Sequence, residues 1–137
     1  MKPSRPILLV EDDYVDYLTV KRALKETGVS VRQERVKNGE EALTYLNTPE
    51  KDQPGIIVLD LNMPRMNGIE FLKTVKHDPN TKKIPVVILT TSKAERDIEA
   101  SFALGAAGYI VKPVDYRAFT EAVITIERYW RLSELPA

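Results

Sequence analysis

Asp60 ends the apolar run Gly55-Ile56-Ile57-Val58-Leu59, and a carboxylate placed where such a run stops is a candidate for chemistry rather than packing. Three other runs end in the same manner. Glu11-Asp12-Asp13 follow Ile7-Leu8-Leu9-Val10, Thr90 closes Pro85-Val86-Val87-Ile88-Leu89, and Lys112 follows Gly108-Tyr109-Ile110-Val111. Two carboxylates about 5 Å apart repel by about 3 kcal/mol at an effective dielectric near 20, so several brought together require a cation. With no cysteine and a single histidine, the ligands are oxygens. These favour Mg²⁺, which takes one or two protein carboxylates and keeps positions for water or phosphate. The set suits phosphoryl transfer. Asp60 is then a nucleophile that forms an aspartyl phosphate, and Mg²⁺ is held by Asp12 and Asp60. The Thr90 hydroxyl and Lys112 ammonium take the remaining phosphoryl oxygens.

These groups share a site only if the elements carrying them share an edge. The run ending at Asp60 is short and apolar throughout, as in a strand buried on both faces of a parallel sheet. Ile7–Val10 is another short continuous apolar run, 85–90 is again buried in character, Gly108–Val111 is a fifth short strand, and 29–36 reads as a less buried second strand. Helical periods separate them. The first helix carries Tyr14, Tyr17, Leu18 and Leu24, is capped by Asp13 or Asp16, and stops at Gly28. A short second helix presents Ala42, Leu43 and Leu46, and a third presents Ile69, Phe71, Leu72 and Val75 before Pro79. Ser92 with Glu95 predicts a capping box for a fourth helix bearing Ile98, Phe102 and Leu104. Asp115 caps a fifth, with Phe119, Ala122, Val123, Ile126 and Trp130 on one stripe. Strands alternating with helices predict an α/β fold: a five-stranded parallel sheet with helices on both faces.

At 137 residues the chain is expected to form a single domain over 1–137, with a core of about 5–130 and a short tail, 131–137. Twenty basic and twenty acidic residues cancel, which gives no overall attraction to nucleic acid or an anionic membrane. No apolar run approaches the roughly 20 residues that span a bilayer, and the start lacks a secretion signal. The absence of cysteine suits a reducing cytosol, so a cytoplasmic location is expected. Asp16 reads as a first-turn charge favoured by the helix dipole, and His77 as a partner for a helix C-terminus.

Val10-Glu11-Asp12-Asp13, Leu59-Asp60-Leu61-Asn62-Met63-Pro64-Arg65-Met66-Asn67-Gly68, Leu89-Thr90-Thr91 and Gly108-Tyr109-Ile110-Val111-Lys112-Pro113 resemble the receiver domains of two-component response regulators, the CheY-like family. The resemblance covers nearly the whole chain and implies the flavodoxin-like strand order 2-1-3-4-5. It implies that Asp60 accepts a phosphoryl group from a sensor histidine kinase. Asp12 and Asp60 are then direct Mg²⁺ ligands, Asn62 offers its backbone carbonyl, and Glu11 acts through water, with Mn²⁺ able to substitute. It further implies Thr90 and Tyr109 as a switch pair and a cis bond between Lys112 and Pro113. Asp13 lies beyond the family's acidic pair and is left out of the ligand set. Leu89 to Ile98 and Glu127-Arg128-Tyr129-Trp130 look more narrowly like the small regulators paired with phytochromes, whose members tend to be homodimers without an output domain.

Phe119, Tyr129, Trp130, Leu132 and Leu135 either cover the domain's own core or extend an apolar patch that pairs two copies. The second reading predicts a homodimer through the fourth helix, fifth strand, fifth helix and tail. Two other functions compete with a signalling switch. An aspartyl-phosphate phosphohydrolase of the haloacid-dehalogenase kind needs a second acid two residues after its nucleophile, and position 62 is Asn. A flavin module needs a phosphate cradle after the first strand, where Glu11-Asp12-Asp13 would repel it. A stand-alone receiver that does not turn over substrate is therefore expected.

Overall fold

A computed structural model describes residues 5–134. Five strands and five helices alternate: β1 (Ile7–Val10), α1 (Tyr14–Glu26), β2 (Gln33–Val36), α2 (Gly39–Leu46), β3 (Ile56–Leu59), α3 (Gly68–His77), β4 (Val86–Thr90), α4 (Glu95–Ala103), β5 (Gly108–Val111) and α5 (Tyr116–Leu132). All pairings are parallel and the strand order is β2-β1-β3-β4-β5. Parallel pairing puts every strand's carboxyl end on one edge, the edge that carries the predicted chemistry.

Period-two alternation divides the core. Leu8, Val10, Ile57, Leu59, Val86 and Ile88 face α2 and α3, where Ala42, Leu46, Phe71, Leu72 and Val75 meet them. Ile7, Leu9, Ile56, Val58 and Leu89 face the other way, toward Val20, Ala23 and Leu24 of α1 and Phe119, Val123 and Ile126 of α5. At roughly 1.5–3 kcal/mol per buried aliphatic side chain, these two layers hold the central strands and fix where β1 and β3 end.

Helix ends follow local chemistry. Of the two candidates for the α1 cap, Asp13 is the N-cap, its side chain accepting from the Asp16 N–H at 3.0 Å. Gly28, at φ +72°, lies just past the C-cap, where a left-handed residue ends a helix. Asn67 and Glu70 form a reciprocal capping box on α3. His77 Nδ1 lies 2.7 Å from the Lys73 carbonyl in the last turn, as its position predicts.

Two expectations fail locally. The second strand begins at Gln33 rather than Val29, because β1 starts at Ile7, which pairs with Gln33 and whose N–H already takes the Arg32 carbonyl at 2.9 Å. The capping box at Ser92 is also absent: α4 starts at Glu95 behind Ala94, which makes no side-chain cap. Ser92 Oγ instead donates to Asp97 at 2.6 Å and accepts from the Ala94 N–H at 3.3 Å. The expected α4 stripe is correspondingly shallow, with Ser101 its buried residue and Phe102 exposed.

Gly68 is fixed by a close approach. A Cβ there would collide with the Asp60 carbonyl oxygen and lie 2.7 Å from Leu61 Cα, both backbone atoms. Gly68→Ala should therefore lower stability by about 1–3 kcal/mol in urea unfolding, the usual cost of overpacking. A variant within about 0.5 kcal/mol of wild type, the range of an ordinary surface substitution, would mean that the β3–α3 loop moves aside freely.

Candidate functional site

The backbone locks the carboxyl edge before any side chain acts. The Asp60 N–H donates to the Val10 carbonyl at 3.0 Å, Glu11 N–H to Val36 at 3.0 Å, and Lys112 N–H to Thr90 at 2.7 Å. Glu11, Asp60 and Lys112 are thereby held in the sheet's end, each at most 9% exposed. Asp12 sits at the rim, exposed. Carboxylate oxygens of Glu11, Asp12 and Asp60 all lie within 4.8 Å of one another.

Lys112 is the counter-charge of this cluster. Its Nζ is 2.8 Å from Glu11, 2.7 Å from Asp16 and 3.5 Å from Asp60. Burial alone would lower its pKa. Hydrogen bonds to Asp16 and Glu11, with the charges of Glu11 and Asp60, outweigh that and hold it above the ordinary lysine value. Glu11 moves the other way for a carboxylate: burial raises it to about 7, against the opposing pull of Lys112 and with added repulsion from Asp60.

The Glu11 shift has a definite sign. Its folded pKa lies above the unfolded value, so the folded state binds more protons between about 4.5 and about 7. Its stabilising contribution is present at low pH and is lost as pH rises through that window, at a slope of at most about 1.4 kcal/mol per unit. In chelator-treated buffer, unfolding free energy should fall more steeply from pH 5 to 7.5 in wild type than in Glu11→Gln. Parallel curves would remove Glu11 as the source.

An open cleft of about 520 Å³ fronts the cluster, lined by Asp12, Tyr14, Val15, Asp60, Asn62 and Lys112 among others. The Asp60 carboxylate accepts from the Asn62 N–H at 3.4 Å. An all-oxygen set of three carboxylates, two of them buried, fits a hard divalent cation, with the exposed Asp12 side left for water or phosphate.

Thr90 is fully buried at the end of β4 and lies behind this cleft, whose wall there is Thr91. Its Oγ1 accepts from the Ser92 N–H at 3.4 Å. Tyr109 is half-buried beside it on β5, and its hydroxyl donates to the Ser92 carbonyl at 2.9 Å.

Two predicted features are corrected. No cis peptide occurs among the described residues, so the Lys112–Pro113 bond is trans. An X–Pro bond favours trans by about 0.5–1 kcal/mol unless the surroundings demand otherwise, and Lys112 meets its three carboxylates without it. Phe119 is also removed from the predicted dimer surface. It is buried against the sheet with Leu9, Leu24 and Leu89, because the inward stripe of α5 claims it. Tyr129 and Leu132 are exposed at 74% and 83%, while Trp130 is half-buried and its ring covers Gly55. Leu135 lies outside the described residues.

Asp16 is the site residue that the sequence reading missed. Its first-turn position has a sufficient local explanation, and only the fold brings it to Lys112. The available signal was the Asp13 cap, which makes Asp16 the third helical residue, on the turn above the carboxyl edge.

Residues 7–124 match the family described as response regulator receiver domain. The chain belongs to that family. Response regulator Rcp1 of Synechocystis sp. is 36% identical to this receiver over 135 residues, covering 93% of the chain and 90% of the relative. The crystal structure of the Mn²⁺-bound form of Rcp1 superposes with a TM-score of 0.91 at 35% identity, covering 97% and 99% of the two chains. That of the phosphorylated cyanobacterial phytochrome response regulator RcpA gives 0.93 at 36%, covering 98% and 100%. The receiver is thus a component of phosphorylation-based signalling that is served by histidine kinases, and its acidic cluster fits a divalent cation. The phosphohydrolase alternative finds no support among these relatives. Among the described residues no helix is long and apolar enough to cross a membrane.

Proposed function

We propose that Asp60 is the phosphoacceptor of a phosphorylation-controlled binding switch. The observation that carries this reading is a buried carboxylate on the cleft wall, 3.5 Å from a lysine ammonium and grouped with two further carboxylates. An Asp60 oxygen attacks the phosphorus of a phosphohistidine on a sensor kinase. A P–O bond forms, the P–N bond breaks, and its electron pair leaves with the imidazole, which takes up a proton.

Asp12, Asp60 and the backbone carbonyl of Asn62 would hold Mg²⁺, Glu11 would act through water, and Mn²⁺ could take the ion's place. When bound, the ion neutralises charge on the transferring group. Lys112 and the Thr90 hydroxyl take phosphoryl oxygens, and Thr90 with Tyr109 forms the switch. Asn62 offers no general acid to speed hydrolysis, which supports a lasting signal rather than turnover of substrate.

The likeness to RcpA supports a phytochrome as the cognate kinase, the family match over 7–124 supports residues 1–137 as one receiver domain, and the lack of cysteine accords with work in the cytoplasm. Exposed Tyr129 and Leu132, beside an apolar groove that includes Ile56, Val87, Ile110 and Trp130, support a homodimer through α4, β5, α5 and the tail.

Intact-mass spectrometry after incubation with acetyl phosphate tests the central reading. One phosphoryl group is expected, dependent on Mg²⁺, lost with chelator, and located by reductive trapping to the peptide containing Asp60. An adduct on another residue, or one indifferent to chelator, would refute it.

A further inference from the structure

We propose that Arg35 is a positioning residue that presents Glu11 and Asp12 to the cation. The inference rests on the divalent-cation reading of the acidic cluster. Arg35 stands on the edge strand β2, paired in register with Leu9. Its neighbour Val36 packs toward α2 and α3, so alternation sends Arg35 to the α1 side of the sheet. From there the guanidinium reaches around the end of β1. Nε donates to the Glu11 carbonyl at 3.0 Å and Nη2 donates to the Asp12 carbonyl at 3.1 Å. The same group lies over the Tyr17 ring at 4.7 Å and the Tyr14 ring at 5.8 Å, so the fork is itself held in place.

A guanidinium is planar and its donors are fixed relative to one another. Binding two consecutive carbonyls therefore restricts the backbone between them, and that backbone aims the side chains of Glu11 and Asp12. Those carbonyls emerge where β1 has ended, so the restriction that sheet pairing supplies as far as the Glu11 N–H is continued by Arg35. Partners that hydrogen-bond the ligating groups themselves typically change metal affinity by about 10–100-fold, and Arg35, acting through the ligands' backbone, belongs at the lower end of that range.

The charge of Arg35 acts in the opposite sense. The guanidinium contacts main-chain carbonyls rather than the carboxylates, yet it places a positive charge near the cation's position. With a cation bound, it repels. A positioning role requires the geometric gain to exceed that repulsion, so substitutions that separate fork from charge decide the matter.

Isothermal titration with Mn²⁺ on the full chain makes the comparison. Arg35→Lys keeps charge and loses the fork, whereas Arg35→Met loses both. Each is expected to weaken Mn²⁺ binding on the order of 10-fold. Gly28→Ala serves as the stability control, since it strains the far end of α1 at φ +72° without touching the fork. It should keep wild-type affinity. Affinities within twofold of wild type in both Arg35 variants, tighter binding in Arg35→Met, or an equal loss in Gly28→Ala would overturn the proposal. Wild-type protein that takes up no Mn²⁺ would overturn the cation site and the role of Arg35 with it.

Discussion

Asp60→Asn is expected to take up no phosphoryl group from acetyl phosphate, and Lys112→Met to take it up on the order of 100-fold more slowly than wild type. The two losses differ in kind. Removing Asp60 removes the atom that forms the new bond, so the loss is complete. Lys112 forms no bond to phosphorus and contributes through charge already in place. An ammonium has three N–H donors. Contacts with Glu11 at 2.8 Å and Asp16 at 2.7 Å engage two, which leaves the third for the Asp60 side at 3.5 Å. Charge on the transferring group is spread over its equatorial oxygens, and a donor that needs no reorganisation stabilises that charge from the start. Losing one such preorganised donor costs enzymes about 10²–10³ in rate, or about 2.7–4 kcal/mol.

Lys112→Met should still fold. Glu11, whose pKa is already raised to about 7 by burial, takes up a proton once its cation is gone and relieves the stranded charge. Time courses of intact mass at saturating Mg²⁺, on protein shown by circular dichroism to be folded, make the measurement. A Lys112→Met rate within threefold of wild type would remove the ammonium from the transfer step.

Much of this arrangement was legible in the residues. Ile7–Val10 and Ile56–Leu59 are apolar at every position because both faces of a central parallel strand are covered, and such runs have sharp ends. Glu11 and Asp60 were placed at one edge by that logic, and Lys112 by the alternation of strands and helices, since it follows the half-buried edge strand β5. What escaped depended on tertiary geometry. Asp16 has a local role at its helix start, so nothing in its surroundings pointed to a lysine far along the chain. Phe119 belonged equally to an inward stripe and an outward patch until α5 packed. Val29 and Val31 favour strands, yet β1 is only four residues long and pairs with Gln33 to Val36. Arg35 was invisible for a different reason. It binds backbone carbonyls, which every sequence possesses, so no pattern of side chains announces it.

Thr90→Ala is expected to accept the phosphoryl group on Asp60 and yet lose the structural response beyond it. Ser92 is the junction through which that response passes. Its N–H donates to Thr90 Oγ1 at 3.4 Å, its carbonyl accepts from the Tyr109 hydroxyl at 2.9 Å, and its own hydroxyl donates to Asp97 of α4 at 2.6 Å. The first of these is long and weak. A hydrogen bond from Thr90 to a phosphoryl oxygen is charge-assisted and contributes about 1.5–3 kcal/mol. Thr90 is therefore expected to turn from Ser92 toward the phosphoryl group. That difference shifts a two-state equilibrium by roughly 10–150-fold, and a ligand shifts states only by such a difference. The Ser92 N–H is then released, and the carbonyl holding Tyr109 and the hydroxyl holding α4 move with it. Alanine lacks the hydroxyl, so the Ser92 N–H has no acceptor at position 90 in either state and phosphorylation produces no further change at the junction. Amide chemical shifts of Ser92, Asp97 and Tyr109, compared with and without acetyl phosphate, read the coupling directly. They should move in wild type and stay fixed in Thr90→Ala. Equal movement in both proteins would mean that the signal leaves the site through the Lys112 side of the cleft, where Lys112 and Asp16 connect Asp60 to α1.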